Sequence, residues 1–308
     1  MIYTVTFNPA IDYVIYVDDL KTGAVNRAIK EEVFYGGKGI NVSVVLQRLG
    51  YVSSALGFVA GFTGDAIEKG IKECGIETDF IRLSEGFSRI NLKIKSGEET
   101  ELNGQGPYIS REHIDQLFLK LGKLKANDTL VLAGSIPKCL PEDIYEQILK
   151  RLSNKGIRFV VDATKELLLN VLKYHPFLIK PNDIELGEMF SKELKTDKEI
   201  IEHAKKLQKK GARNVLVSMA GNGSLLIDEE GGVTKTGVPK GRVINSVGAG
   251  DSMVAGFLAG YLKTESYEEA LKLGAAAGSA TAYSEGLCEK KDIDRLIKEL
   301  KPVKINEE

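Results

Sequence analysis

The 308-residue sequence has few of the residues that mark metal centres and disulfide frameworks. It contains no tryptophan, three histidines and three cysteines, and no two cysteines form a CxxC pair. A sparse, odd number of cysteines argues against a disulfide framework and is typical of a reducing compartment. The histidines lie in separate polar segments without zinc-ligand spacing, so we predict no functional role for them.

The sequence also lacks an excess of either charge and a long apolar run. Its 42 Lys and Arg residues nearly balance 43 Asp and Glu, for a net charge of −1. This balance gives no reason to expect nucleic acid or an anionic membrane as a partner. The longest charge-free stretch, 49–64, is shorter than the ~20 residues of a membrane span. The N-terminus lacks a basic segment, so we expect no signal peptide and a cytoplasmic protein.

Two common phosphate-binding loops are missing. No Gly-Lys pair is followed by Ser or Thr, so Walker A is absent. The dinucleotide pattern GxGxxG fails after Gly248 and again after Gly221, because Met253 and Leu226 occupy the last glycine position. The hypothesis of a nicotinamide-dependent enzyme therefore lacks its main sequence evidence.

Short β-rich segments alternate with helical periodicity along most of the chain. Alternating strands and helices predict an α/β fold with a mainly parallel sheet covered on both faces. Proline at a helix start with acidic residues in the first turn favours a helix beginning at Pro141. We predict strands at 2–7, 55–61, 129–134, 157–162, 177–180 and 214–219, with helices such as 39–50 and 141–152 between them.

Two segments, 12–34 and 88–103, break this alternation. Both alternate polar and apolar residues as hairpins do, and the second contains Ser96-Gly97, a good turn signal. This alternation implies that one face of each hairpin is exposed to solvent, so we predict a small antiparallel sheet that projects from the main sheet as a lid. We place it in one domain spanning 1–308.

The stretch INSVGAGDSMVAGFLAG, 244–260, sets Asp251 where a glycine-rich turn becomes a helix. In one interpretation Asp251 caps the helix by accepting hydrogen bonds from its first amides. In the other, the amides of Gly248, Ala249 and Gly250 form an anion site at the helix N-terminus, and Asp251 is a base beside it.

Two further segments combine polar groups with helix starts. GGKGIN, 36–41, places three glycines and a lysine at the beginning of a helix, as a site for a phosphorylated or polyhydroxyl ligand would. KPNDIE, 180–185, follows a buried strand, and ligands bind beyond the carboxyl ends of such strands. Asn182 and Glu185 stand one turn apart, which suits a magnesium ion or its water shell, although Asn182 is also a good cap.

GGKGIN, KPNDIE and NSVGAGDSMVAG occur here in an order that resembles the ribokinase-like (PfkB) carbohydrate kinases. The resemblance covers nearly the whole chain. It implies a ribokinase-like three-layer α/β sandwich with a mainly parallel central sheet and a β-sheet lid. It also implies phosphorylation of a sugar hydroxyl by ATP with Mg²⁺.

Narrower matches look like the branch that acts on ketohexose phosphates: TVTFNPAIDYV (4–14), RINLKIKSGEETELNGQGP (89–107) and LAGSIP (132–137). The details favour fructose 1-phosphate as the substrate, with its C6 hydroxyl as the group that attacks ATP. Tagatose 6-phosphate and fructose 6-phosphate remain alternatives, as does a sugar-phosphate sensor without catalysis. DATKE, 162–166, departs from the family's usual turn, and we expect it to alter one wall of the sugar site.

The resemblance also implies roles for individual residues. Asp251 is the expected general base, and the helix dipole is expected to keep it ionised at neutral pH. The amides of Gly248, Ala249 and Gly250 are expected to stabilise the phosphoryl group. The expected sugar-phosphate site contains Asp12, Gly37, Lys38, Asn41, Arg89, Asn103 and Ser135, with Lys38 and Arg89 on the existing phosphate. The expected ATP site contains Lys180, Ser218, Gly221, Gly223, Gly250 and Gly278, although the helix of small residues around Gly278 could equally be close-packed core. Asn182 and Glu185 are expected to organise Mg²⁺ through water. The exposed lid edges favour a homodimer.

Overall fold

The structure is a computed structural model that describes residues 1–163 and 165–305. The strands of its main sheet are β1 (Ile2–Thr6), β4 (Ser53–Ala60), β5 (Glu77–Thr78), β6 (Ile81–Leu83), β9 (Thr129–Ala133), β10 (Arg158–Asp162), β11 (Leu178–Ile179), β12 (Asn214–Ser218), β13 (Ser224–Ile227), β14 (Val233–Thr236) and β15 (Val303–Lys304). Their order in the sheet is β15-β14-β13-β12-β11-β10-β9-β1-β4-β5, and β6 also pairs with β4. The strands from β1 through β12 in this sheet run parallel, while β13, β14 and β15 add an antiparallel edge.

Helices cover both faces of this sheet, which gives the expected three layers. They are α1 (Lys38–Arg48), α2 (Gly61–Glu73), α3 (Arg111–Leu121), α4 (Ile144–Leu152), α5 (Lys165–Val171), α6 (Asp183–Met189), α7 (Asp197–Lys209), α8 (Ala249–Thr264), α9 (Tyr267–Ala282) and α10 (Lys290–Leu296). Short 3₁₀ segments lie at Ser153–Lys155, Leu172–Tyr174, Ala220–Asn222 and Ile297–Glu299.

Alternate residues of the buried strands enter two different cores. Leu130 and Leu132 of β9 pack with the apolar sides of α3, α4, α5, α6 and α7. Val131, between them, packs with α1, α8, α9 and α10 on the other face. Successive strand residues point to opposite faces, so this apolar run is what a strand buried on both sides requires.

The predicted strands and helices of the main sheet are confirmed, with ends shifted by one to three residues. The predicted helix start at Pro141 is wrong. The Pro141 carbonyl accepts a turn hydrogen bond from the Ile144 amide, so α4 begins at Ile144 with Asp143 as its N-cap residue. The antiparallel edge strands were not predicted, because they are only two to four residues long.

The two interrupting segments form a separate four-stranded sheet, here called the lid. Its strands are β2 (Ala10–Tyr16), β3 (Lys30–Gly36), β7 (Arg89–Ser96) and β8 (Glu98–Asn103), in the order β3-β2-β7-β8. The tight turn at Gly97 (φ +66°) joins β7 and β8 as predicted. The lid is mixed rather than antiparallel, because β2 and β7 come from different hairpins and pair in parallel.

Among the described residues, no helix has both the length and the apolar character needed to cross a membrane. The segment DATKE, where we expected an altered wall of the sugar site, includes Thr164, which lies outside the described residues. Its first residue, Asp162, ends β10 and turns out to be central to the site.

Candidate active site

The predicted site residues converge because five neighbouring parallel strands end at the same edge of the sheet. In spatial order, β12, β11, β10, β9 and β1 lie side by side. Ser218 ends β12, Lys180 follows β11, and Asp162 ends β10. Ligands of open α/β sheets bind outside these carboxyl ends. The topology therefore brings together residues that are far apart in sequence.

Glycines shape the loop that leads from the lid into α1. Gly37 has φ +131°, a conformation that side chains rarely adopt, and a Cβ there would overlap Thr6 Cγ2. At Gly39 a Cβ would lie 2.7 Å from Thr6 Oγ1 and 2.8 Å from the Val5 carbonyl oxygen. The glycines thus let α1 start against the end of β1, and Lys38 becomes its first residue.

Asp251 lies in the first turn of α8, and it does not cap that helix. The N-cap residue is Gly248, with φ +81° and no side-chain cap. The Asp251 carboxyl is buried, and its Oδ2 accepts a 2.8 Å hydrogen bond from Asn41 Nδ2 of α1. Of our two interpretations, capping is excluded by this geometry. A buried carboxyl at a helix N-terminus and beside a cavity fits the role of a base.

Asp162 joins two lysines at the base of the site. Its Oδ2 lies 3.3 Å from Lys38 Nζ, and its Oδ1 lies 3.5 Å from Lys180 Nζ. Lys180 is itself buried, and its Nζ lies 3.1 Å from the point where a Cβ of Gly250 would stand. One carboxylate thus holds two ammonium groups close to the N-terminus of α8.

The two buried carboxyl groups have opposite pKa shifts. Burial alone would raise the pKa of Asp162, but Lys180 and Lys38 outweigh it and lower that pKa. Burial and the negative charge of Asp162 raise the pKa of Asp251 to about 7, against the opposing effects of Asn41 and the lysines. Burial lowers the pKa of Lys38, yet the carboxylates of Asp162 and Asp251 leave it raised overall.

This result corrects one expectation from the sequence. The helix dipole favours an ionised carboxylate at the start of α8, so Asp251 was expected to stay ionised at neutral pH. Burial next to a second carboxylate has the larger effect, so Asp251 titrates near neutrality. A group with such a pKa can exchange a proton with a substrate at physiological pH.

A cavity of about 390 Å³ lies over these groups and under the lid. Arg89, on β7 of the lid, donates from Nε to the Asn8 carbonyl oxygen at 3.1 Å, leaving its other guanidinium donors for a ligand. Eight residues predicted from the sequence line this cavity: Asp12, Gly37, Lys38, Asn41, Arg89, Ser135, Gly248 and Asp251.

Asn103, also predicted for the sugar site, does not line this cavity. It is exposed on β8, the outermost strand of the lid, and its Nδ2 contacts Glu101 Oε2 at 3.5 Å. Asn91, directly opposite on β7, lines the cavity instead. The sequence held a signal for Asn91, because it stands two residues after Arg89 and so shares its face of the strand.

Sequence reasoning also missed the role of Asp162. A carboxylate that ends a predicted buried strand carries the same signal that identified KPNDIE, since both occupy carboxyl ends of strands.

The backbone amides at the start of α8 are only partly available for an anion. The Ala249 amide donates to the Ser246 carbonyl oxygen at 3.2 Å, so it closes the turn. Gly250 lies in the first helical turn, where no earlier carbonyl of the helix is in reach. Its amide and the nearby Lys180 ammonium therefore provide positive potential at this end of the cavity.

On the far side of Lys180, Ser218 and the loop after β12 form a second polar edge. Gly221 lies in the 3₁₀ segment and has open space where a Cβ would be. Gly223 has φ +89°, and a Cβ there would overlap the Thr236 carbonyl. Ala220, Gly221 and Asn222 of this loop are exposed, whereas the amides of Met219, Asn222 and Gly223 already donate to carbonyl oxygens within it.

Gly278 is different, because it is buried between α8 and α9. A Cβ there would lie 3.1 Å from the Ala249 carbonyl oxygen. Gly256 and Gly274 are similarly tight against the partner helix. The small residues of α9 therefore allow close helix packing, the alternative that the sequence had left open for this helix.

Asn182 and Glu185 form the capping box of α6. The Glu185 amide donates to Asn182 Oδ1 at 2.7 Å, and the Asn182 amide donates to Glu185 Oε2 at 2.9 Å. Glu185 Oε1 takes no part in this box. Within 1–163 and 165–305, no three His, Cys, Asp or Glu residues cluster as a metal site. The capping box therefore leaves Glu185 Oε1 as the side-chain oxygen of the pair that it does not engage.

The sequence and fold of this chain are similar to those of known proteins. Residues 5–294 match the model of the pfkB family carbohydrate kinases. The chain is 47% identical to the 1-phosphofructokinase of Bacillus subtilis over 99% of its length and 100% of the relative. It is 38% identical to the D-tagatose-1-phosphate kinase of Bacillus licheniformis, covering 96% of this chain and 97% of that one. The crystal structure of Escherichia coli phosphofructokinase-2 with substrates and products superimposes with a TM-score of 0.90 at 26% identity, over 96% and 98% of the two chains.

Proposed function

Since this chain belongs to the pfkB family of carbohydrate kinases, we propose that it phosphorylates fructose 1-phosphate. The reaction transfers the γ-phosphoryl group of ATP to the C6 hydroxyl and gives fructose 1,6-bisphosphate and ADP. The observation that carries the proposal is Asp251, a buried carboxyl with a pKa of about 7 in the cavity under the lid. A sensor would not need such a base, so the non-catalytic alternative loses its support.

In the proposed mechanism Asp251 removes the proton of the C6 hydroxyl as its oxygen attacks the γ-phosphorus. The bond from that phosphorus to the β,γ-bridging oxygen breaks, and its electron pair stays on ADP. Asn41 holds the Asp251 carboxyl in place through its 2.8 Å hydrogen bond. Phosphoryl transfer depends chiefly on in-line positioning and charge stabilisation. A positioned base adds typically 10²–10⁴-fold to such a rate.

Negative charge on the moving phosphoryl group is stabilised at the start of α8. The Gly250 amide and Lys180 supply the positive potential, with Gly248 and Ala249 shaping the turn. Asp162 holds Lys180 and Lys38 in this region through its two carboxylate oxygens.

The phosphate already present on the sugar is bound by Arg89 from the lid and by Lys38 from the base of the cavity, where Lys38 pairs with Asp162. Both reach the cavity with cationic groups, and charge-assisted contacts are the strong ones for a phosphate. The rest of the cavity is lined by residues that contact hydroxyls of the sugar: Asp12, Gly37, Asn41 and Ser135. We give Asn103 a smaller role at the rim of this site, since it lies one strand further out.

ATP binds along the polar edge made by Lys180, Ser218, Gly221 and Gly223, with Gly250 beneath its γ-phosphate. Gly278 takes part only by letting α9 approach α8 closely. Mg²⁺ fits beside Asn182 and Glu185 through water, where it supplies positive charge to the phosphates.

The names of the two curated relatives both place the existing phosphate on C1. This favours fructose 1-phosphate over the 6-phosphates of tagatose and fructose. The 38% identity to a D-tagatose-1-phosphate kinase supports a second candidate, tagatose 1-phosphate, which differs from fructose 1-phosphate in configuration at C4.

The experiment is ADP release from the purified protein with Mg-ATP and a panel of four sugars. The panel contains fructose 1-phosphate, tagatose 1-phosphate, fructose 6-phosphate and tagatose 6-phosphate. We expect the highest kcat/KM with fructose 1-phosphate. A preference for tagatose 1-phosphate would select the second candidate, and a preference for either 6-phosphate would contradict the proposed orientation of the sugar.

The proposal includes a homodimer formed through the lid. Val33, Ile90 and Leu102 share the lid face that points away from the cavity, and they are 49%, 37% and 58% exposed. A second copy would cover this apolar face. Light scattering should give a dimer for the wild type and a weaker one for Leu102→Lys. A monomeric wild type would contradict it.

We also propose that the enzyme works in the cytoplasm. Cys74, Cys139 and Cys288 are all free thiols, as a reducing compartment would leave them.

A further inference from the structure

One polar row crosses the lid on the side that faces the cavity. Asp12 on β2 stands opposite Asn91 on β7, and Asn91 stands opposite Asn103 on β8. Directly opposite residues of paired strands point to the same face of a sheet. Asp12 and Asn91 line the cavity, and Asn91 is only 7% exposed.

The orientation of the Asn91 amide follows from its partner. Its Nδ2 lies 2.8 Å from Asp12 Oδ1, and a carboxylate oxygen can only accept a hydrogen bond. The carbonyl oxygen of the same amide therefore points away from Asp12. This Oδ1 atom is buried and receives no hydrogen bond from any residue within 1–163 and 165–305.

A buried acceptor without a donor is costly, by about 1–3 kcal/mol. Native proteins retain such a group where a ligand or an ordered water satisfies it. Asn91 lines the sugar cavity, and the 2.8 Å bond holds its amide beside the Asp12 carboxylate. Asp12 Oδ1 receives that bond, whereas Asn91 Oδ1 can only accept and lacks a donor.

We propose that Asn91 is a specificity-determining residue, whose Oδ1 accepts a hydrogen bond from a ring hydroxyl of the sugar phosphate. This inference rests on the proposed function, because it assigns part of the same substrate site. Asp12 accepts from a neighbouring hydroxyl, and the Asn91 Nδ2 bond keeps the two acceptors in register. Together they select a sugar with two adjacent ring hydroxyls, C3 and C4 in fructose 1-phosphate.

A purely structural role makes a different prediction. If Asn91 served only to orient Asp12, its removal would act through the hydroxyl that Asp12 contacts, and Asn91→Ala would spare the same deoxy analogue as Asp12→Ala. If Asn91 itself accepts from the adjacent hydroxyl, the two variants spare different analogues. A site built around a hydrogen bond rejects the substrate analogue that lacks the donor, because the buried acceptor is then left unpaired.

The test combines variants with deoxy sugars. Wild type, Asn91→Ala, Asn91→Ser and Asp12→Ala are each assayed with fructose 1-phosphate and with its 3-deoxy and 4-deoxy analogues. Thr100→Ala is the control, since Thr100 is exposed on the lid and belongs to its other face. KM for ATP and the melting temperature are recorded for every variant.

We expect the wild type to discriminate against both analogues, each by about 10- to 100-fold in kcat/KM. In Asn91→Ala, fructose 1-phosphate should lose a similar factor, while the analogue without the hydroxyl that Asn91 contacts changes by less than about 3-fold, within the noise of such additivity. Asp12→Ala should leave the other analogue unchanged instead. KM for ATP should be unchanged, and Thr100→Ala should behave as wild type.

Equal losses for all three sugars in Asn91→Ala would overturn the proposal, and so would the sparing of the same analogue by Asn91→Ala and Asp12→Ala. A wild type that accepts both analogues as well as the parent sugar would overturn it too, and that result needs no variant to fold. The wild-type rate with fructose 1-phosphate reports on the proposed function, whereas the ratios between sugars report on Asn91. The two failures are therefore distinguishable.

Discussion

Asn41 Nδ2 donates a 2.8 Å hydrogen bond to Asp251 Oδ2, across 210 residues of sequence. Asn41 belongs to the first glycine motif and Asp251 to the last, so this bond joins the starts of α1 and α8. It fixes the carboxyl that we propose as the base, and it partly offsets the effect of burial on its pKa. The remaining neighbours of Asp251 decide at which pH it can act.

Asp162→Asn should change both the rate and its pH dependence. A base must be ionised, so kcat/KM of the wild type should rise with pH and level off above about 7, the pKa of Asp251. The charge of Asp162 raises that pKa, so the midpoint should move to lower pH in the variant. Lys38 and Lys180 also lose their common partner, and misplaced groups of this kind cost roughly 10²-fold in rate.

The matched control is Asp228→Asn, a buried carboxylate in the turn between β13 and β14 that accepts backbone hydrogen bonds. It should lower stability without shifting the pH midpoint. An unchanged midpoint in Asp162→Asn would show that Asp162 does not tune Asp251. The measurement is kcat/KM between pH 5.5 and 9, with circular dichroism to confirm folding.

Lys38→Ala and Arg89→Ala should raise KM for the sugar phosphate by about 10-fold or more, since each removes a charge-assisted contact worth ~1.5–3 kcal/mol. KM for ATP should change little. Lys69→Ala, which removes an exposed lysine of α2, is the control. Lys38 lies close to Asp162 and Asp251, so a fall in kcat with unchanged KM would instead assign it to the transferred phosphoryl group.

Gly37→Ala should reduce both stability and activity. The backbone at Gly37 is in a conformation that costs other residues about 1–3 kcal/mol, and the new methyl group would overlap Thr6. Gly97→Ala is the matched control, because it has φ +66° but open space around it. Thermal unfolding should show a larger loss for Gly37→Ala, and only that variant should lose kcat/KM. Equal activity in the two variants would mean that the loop before α1 need not be closely packed.

The parts of the site that the sequence predicted are those written in local patterns. GGKGIN and the GAGD turn combine glycines with a helix start within six residues, and the structure places both at the cavity. The alternation of strands and helices likewise predicted the layers, because period and apolar content are local properties.

Contacts between distant segments could not be predicted in the same way. Lys38 and Asp162 are 124 residues apart, and Asp12 and Asn91 are 79 apart, so their pairing depends on strand order. Burial raises the pKa of Asp251 against the opposing effect of the helix dipole. How deeply a residue is buried cannot be read from its neighbours along the chain. The spacing of Asn182 and Glu185 suited both a helix cap and a magnesium site in the sequence, and in the structure the two residues form a capping box.

The most direct test of the account is the turnover of fructose 1-phosphate by Asp251→Asn. The asparagine keeps an oxygen that can accept from Asn41, so we expect the variant to fold and to bind ATP and sugar phosphate with near wild-type affinity. Its kcat should fall by about 10²–10⁴-fold, the usual contribution of a positioned base. A variant that binds both substrates and turns over at nearly the wild-type rate would contradict the central claim that this site is built around Asp251.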